Sequence, residues 1–187
     1  PSPIPTPTPH PSCRRLTPRL AEIGARSILT VLADLEGRRA RGTVQPLDTV
    51  APRAPKLHHA AGDVAFGADL TVEALLRLYR GLEDSVGLHA GFTPAPGAPV
   101  KRLRLVTLAR VTDGDDAPLL AQAATTPGAL AYVKRSKTLY LRAADGFVRL
   151  AAVQPEYKRV QTGHEFAVGH HLALTGHTLT PPPAAPA

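Results

Sequence analysis

The sequence predicts an α+β fold, mostly β, with a short helix and a three-stranded β-meander in the C-terminal half and a helix-containing N-terminal half with proline-rich linkers. Three observations carry this prediction. A glycine opening, two apolar strand patterns separated by a polar break and an Asp145-Gly146 turn run through 127–150. An apolar stripe at helical spacing runs through 70–82. Twenty prolines gather in clusters that separate these patterns.

Residues 1–12 alternate Pro with small polar side chains, which favours extended polyproline II and leaves no apolar face to pack. Thr17-Pro18 can cap and open a helix, with Leu20, Ile23, Ser27, Val31 and Leu35 on one face and Gly37 as its stop. A hairpin competes here, because Ile28-Leu29-Thr30-Val31 and Thr43-Val44 favour strands and Glu36-Gly37 can turn; periodicity leaves both open. Proline clusters at 46–55 and 94–99 divide the middle of the chain. Between them, the 70–82 helix is capped by Asp69 or Thr71 and presents Val72, Leu75, Leu78, Tyr79 and Leu82. Residues 102–112 read as a strand.

In the meander, Leu130 and Tyr132 alternate with Ala129, Ala131 and Val133. Residues 134–138 form a hairpin loop, and Leu139 and Leu141 alternate with Tyr140 and Arg142. Asp145 and Gly146 supply the positive φ angles of a tight turn, and Phe147, Val148 and Leu150 begin the third strand. The chain therefore divides into a proline-rich linker at 1–15, an α+β segment of unknown type at 16–112, the meander at 113–153, a β-rich, His-containing tail at 154–179 and a proline/alanine-rich linker at 180–187.

The 22 Lys and Arg against 15 Asp and Glu give a formal charge of +7, so polyanions are plausible partners. Lys101, Arg102 and Arg104 open a strand, and Lys134, Arg135 and Lys137 sit in the hairpin loop; both clusters are candidate polyanion contacts. Outside a cell they read as heparan-sulfate contacts and inside it as RNA contacts; the alternative is a solvated, arginine-biased surface. An apolar share of 43% is enough for a core. No run approaches the roughly 20 apolar residues of a spanning helix. With no Met anywhere, the chain reads as a cut or processed segment.

Catalytic signatures are absent. Asp113-Gly114-Asp115-Asp116 lacks the spaced ligands and terminal Glu of an EF-hand, and an acidic turn before a helix explains it better. No nucleophile elbow, phosphate loop or dinucleotide fingerprint occurs. Cys13 stands alone. His164, Glu165, His170, His171 and His177 cluster, but adjacent histidines on a strand point to opposite faces, so ordinary polar strand residues are preferred over a zinc site or a pH-responsive surface. The expectation is a chain that is not an enzyme and uses no metal or cofactor.

Gly128, Leu130, Tyr132-Val133, Leu139-Tyr140-Leu141-Arg142, Gly146-Phe147 and Arg149 fall in an ungapped order that resembles the trimerisation domain of the multiplexin collagens, types XV and XVIII, over about residues 113–152. The preceding 115–127 looks like that domain's short helix. There is no Gly-X-Y repeat, so these residues form no triple helix, and a single cysteine excludes an endostatin domain held by paired cysteines. The resemblance implies a secreted extracellular-matrix module that forms a homotrimer, aligns the chains joined to it and has heparan sulfate as a candidate partner. Leu130, Tyr132, Leu139, Leu141 and Phe147 are its interface candidates, an intrachain core being their other role, and Asp145 and Gly146 set its turn. The alternative is a basic intracellular RNA-binding or ribosome-associated structural protein, in a ribonucleoprotein assembly or a mitochondrion.

Overall fold

The computed structural model describes residues 13–44, 56–111, 116–123, 125–173 and 176–183, with side chains from residue 16 onward. The proline-rich stretches expected at 1–12 and 46–55, the Asp113-Gly114-Asp115 turn and residues 184–187 lie outside the described residues. Two compact units are present, Pro1–Lys56 and Leu57–Ala187.

In the first unit, helical spacing prevails over the local strand preference. Helix α1 spans Cys13–Ala33 and contains Pro18. The hydroxyls of Ser27 and Thr30 donate to the carbonyls of Ile23 and Arg26 at 2.8 and 3.0 Å, so these side chains join the helical ladder instead of competing with it. Arg26 pairs with Glu22 one turn back at 2.5 Å. Gly37 does not stop the helix. The break falls at Asp34, whose carboxylate accepts from Gly37 N at 3.2 Å and caps a new short helix, α2, Leu35–Ala40.

The second unit is α+β and mostly β. After a 3-10 turn at His59–Gly62 comes α3, Val72–Leu82, whose N-cap is Thr71, accepting from Ala74 N at 3.2 Å. Strands β1 (Leu88–Phe92) and β2 (Lys101–Arg110) follow, then α4 (Ala117–Ala121). The meander forms β3 (Ala129–Val133), β4 (Thr138–Arg142) and β5 (Phe147–Pro155); β6 (Gln161–Thr162), α5 (Gly163–Gly169) and β7 (His177–Thr178) complete the unit. All strand pairings are antiparallel, in the order β1-β2-β5-β4-β3-β7, with β6 beside β5. Two residues past β7, Thr180 bridges to Gly91 of β1 through two backbone hydrogen bonds of 2.7 and 2.9 Å. The sheet thus curls round until its last strand meets its first.

Bulges and glycines permit this curl. The β2–β5 register shifts on either side of Thr107, which bends β2. At the seam, a Cβ on Gly91 would lie 2.6 Å from the Pro181 carbonyl, and Gly128 has φ +88° with the Leu179 carbonyl 2.7 Å from where its Cβ would stand. Inward side chains of the strands, with Leu75 and Leu76 of α3 and Phe166 of α5, make one apolar core. A second cluster forms outside the sheet, where Leu120 and Ala123 cover Ala131, Val133 and Tyr140.

The apolar face expected to await other chains is therefore covered by this one. Leu130, Tyr132, Leu139 and Leu141 are buried in the chain's own core, Leu141 with 0% exposure, and half-buried Phe147 packs against the outer cluster. Asp145 and Gly146 do form the β4–β5 turn, with Ala143 N donating to Gly146 O at 2.8 Å, but neither has a positive φ. The Asp145 carboxylate instead accepts from Val72 N at 2.7 Å, tying the turn to the start of α3. His164 lies on α5 and His170 is its C-cap, so the segment expected as strand begins with a helix.

Candidate nucleic-acid interface

Antiparallel pairing sorts the loops by end. The β1–β2 connection, the β3–β4 hairpin and the segment after β5 must share one end of the barrel, because β1 and β5 finish where β2 and β4 begin. That end carries Lys101, Lys134, Arg135, Lys137, Lys158 and Arg159, all exposed. Residues 101, 134–137 and 158–159, distant in sequence, are thus brought to one region.

The hairpin holds its cations on a fixed frame. Lys137 N donates to Lys134 O at 3.3 Å, and Lys137 itself takes a left-handed φ of 52°. Ser136 and Tyr140 both donate their hydroxyls to the buried Asp116 carboxylate, Tyr140 at 2.8 Å. Burial first, and then the hydrogen bond to Asp116, pushes the Tyr140 phenol above its ordinary range, so it stays a donor at neutral pH. Beside the hairpin, Leu119, Tyr132, Val133, Lys134, Arg135 and Ala173 line an open hollow of about 300 Å³. Its floor is apolar and two basic side chains border it, an arrangement that suits a phosphate with its attached sugar or base. One of the lining residues, Tyr132, has its Oη 2.6 Å from His164 Nδ1 of α5.

Within this basic group Arg159 also pairs with Glu165 at 3.3 Å, and Arg102 and Arg104 are held deeper in the fold. Arg102 donates to Asp63 at 2.5 Å and to the Pro183 carbonyl at 2.8 Å, and its side chain is only 11% exposed. Half-buried Arg104 reaches the Glu83 carbonyl and packs against Gly87. At the opposite end Arg80 and Arg110 share Glu73, and Arg142 lies over the Phe147 ring at 4.9 Å.

Lys158 and Arg159 carry no local sequence signal, because strand order, not adjacency, places them near the hairpin. Thr162-Gly163-His164-Glu165 was a legible signal for α5: Thr162 Oγ1 accepts from Glu165 N at 3.1 Å and the Glu165 carboxylate accepts from Thr162 N at 2.8 Å, a capping box. His170 packs on Phe92 and Phe166 at 4.9 and 4.7 Å, and burial lowers its pKa. Among the described residues no group of three or more His, Cys, Asp or Glu is placed to hold a metal ion.

No family model matches the chain. It is similar to mitochondrial methionyl-tRNA formyltransferases: that of Homo sapiens is 28% identical over 167 residues, that of Mus musculus 29% over 167 and that of Bos taurus 26% over 169, each along 89% of this chain. The chain spans about 40% of the length of these relatives.

This similarity extends over nearly the whole chain and overturns the multiplexin resemblance, which rested on residues 113–152. With it go the matrix-association function, the homotrimer and heparan-sulfate partners, secretion and the expectation that the chain is not an enzyme, since the relatives are named as transferases. The physical reason is that glycine-led, alternating apolar strands meet the needs of any strongly curled antiparallel sheet. The intracellular alternative fits the relatives better. Among the described residues no helix is long and apolar enough to cross a membrane.

Proposed function

We propose that this chain is the RNA-holding portion of a mitochondrial methionyl-tRNA formyltransferase, and that its basic end grips the tRNA backbone. One observation carries the reading: a chain similar to these enzymes along 89% of its length gathers six exposed cations at one end of a closed sheet. Lys134, Arg135 and Lys137 make the primary contact, supported by Lys101, Lys158 and Arg159. Arg102 and Arg104 shape the surface behind Lys101. Mitochondrial residence follows from the same reading.

Phosphate contacts release counterions, so binding must weaken steeply with salt, by about 0.7–0.9 units of log K per log salt for each contact. The test is filter binding of the 187-residue chain to an initiator tRNA transcript between 50 and 200 mM salt. Alanine at Lys134, Arg135 and Lys137 together is expected to weaken binding and to reduce the salt slope by about 2–3. An unchanged slope would remove the hairpin from the interface, and no binding even at 50 mM would sink the RNA reading.

A further inference from the structure

We infer that the apolar face of α1 and α2 docks on the polypeptide that formyltransferase-like proteins possess beyond the stretch matched here, completing its core; this rests on the reading of the chain as part of such an enzyme. The face is broad and exposed. At about 100° per residue along α1, Leu16, Leu20, Ile23 and Val31 fall within a narrow sector, and Ile28 and Leu32 widen it to about half the helix circumference, with Leu35 following past the break at Asp34. Their exposures run from 37% at Leu16 to 62% at Leu32. None of this unit's described side chains is buried. The opposite side carries Arg19, Glu22 and Arg26, with Arg26 paired to Glu22, and a single large apolar side chain, Leu29 at 68% exposure, so the apolar surface is concentrated on one side. Such a contiguous apolar stripe marks an interaction surface, and a helix of this length gains its stability from packing an amphipathic face.

Two features identify the occupant. The relatives are about two and a half times as long as the stretch matched, so most of such a protein lies outside this chain. A second copy fits less well. The heptad seam through Leu16, Leu20 and Ile23 continues into Ser27, Thr30 and Asp34, which are polar, while the apolar residues fan outward. A widening face of this kind suits the surface of a globular core and not a two-stranded seam.

The experiment compares amide hydrogen exchange of residues 16–35 in the 187-residue chain and in the full-length product of its gene. Exchange is expected to be at least tenfold slower in the full-length product. There, Leu20→Asp with Leu32→Asp is expected to restore fast exchange and lower the melting temperature by several degrees, leaving tRNA affinity unchanged. Slow exchange already present in the monomeric 187-residue chain would assign the cover to the chain's own barrel. Slow exchange accompanied by a dimer in sedimentation would assign it to a second copy. Either result overturns the inference, as does a full-length product without slowed exchange or with no further polypeptide. Because tRNA binding is measured separately, loss of that reading leaves the exchange result standing by itself.

Discussion

Leu141 shows how closely the interior is filled. It is fully buried, pairs with Leu130 on one side and Val148 on the other, and leaves no room for a polar replacement. Leu141→Ala is expected to cost about 2–5 kcal/mol, read from urea unfolding of the 187-residue chain; Leu141→Asp is expected to prevent folding. His89 brings pH sensitivity at the same scale. Its Nδ1 is buried with no hydrogen-bond partner among the described residues. Burial, and next the Arg102 charge, holds its pKa below the ordinary 6.5, and burial does the same for His170. The unfolded chain therefore binds more protons below that value, so stability present above about pH 6.5 is lost as pH falls through the depressed folded values. Urea midpoints should fall between pH 7.5 and 5, and His89→Gln with His170→Gln should flatten that dependence. A dependence left intact by both changes would place the acid sensitivity elsewhere.

At the scale of elements, the turns matter as much as the strands. Asp145 shapes the β4–β5 connection and satisfies an orphan donor at the start of α3. Asp145→Ala is expected to cost about 1–2 kcal/mol, more than an exposed surface change, and Asp145→Asn is expected to recover part of it. The α5 capping box provides a parallel case: Thr162→Ala is expected to cost about 1 kcal/mol in the same unfolding assay. Equal stability of either variant would show that water serves the freed N–H group as well.

At the scale of the molecule, every buried apolar residue of both clusters lies after residue 57, so the Leu57–Ala187 unit contains a complete core. A fragment of residues 57–187 is expected to fold alone, with a melting temperature within a few degrees of the 187-residue chain and the same tRNA affinity and salt slope. A fragment that fails to fold would show that the first unit stabilises the second. Alternatively, lost tRNA affinity in a folded fragment would move part of the interface to Arg19, Arg26, Arg38, Arg39 or Arg41.

Local patterns in the sequence determined a good deal. The 70–82 stripe marked α3 almost to the residue, the alternation through 129–150 marked three strands and their order, and the α+β class followed from these. These elements were legible because side-chain periodicity is set by backbone geometry over a few residues. Only the tertiary structure decided what the meander packs against. The same Leu130, Tyr132, Leu139 and Leu141 can face three other chains or the inside of their own barrel, and the choice depends on β1, β2 and residues 177–180 closing round them. The basic end had the same status: Lys101, Lys134 and Lys158 are far apart in sequence, and their gathering follows from strand order. Burial and charge convergence are sums over residues that the chain brings together only when it folds, so a reading based on neighbours in sequence found the strands and missed the surface they build.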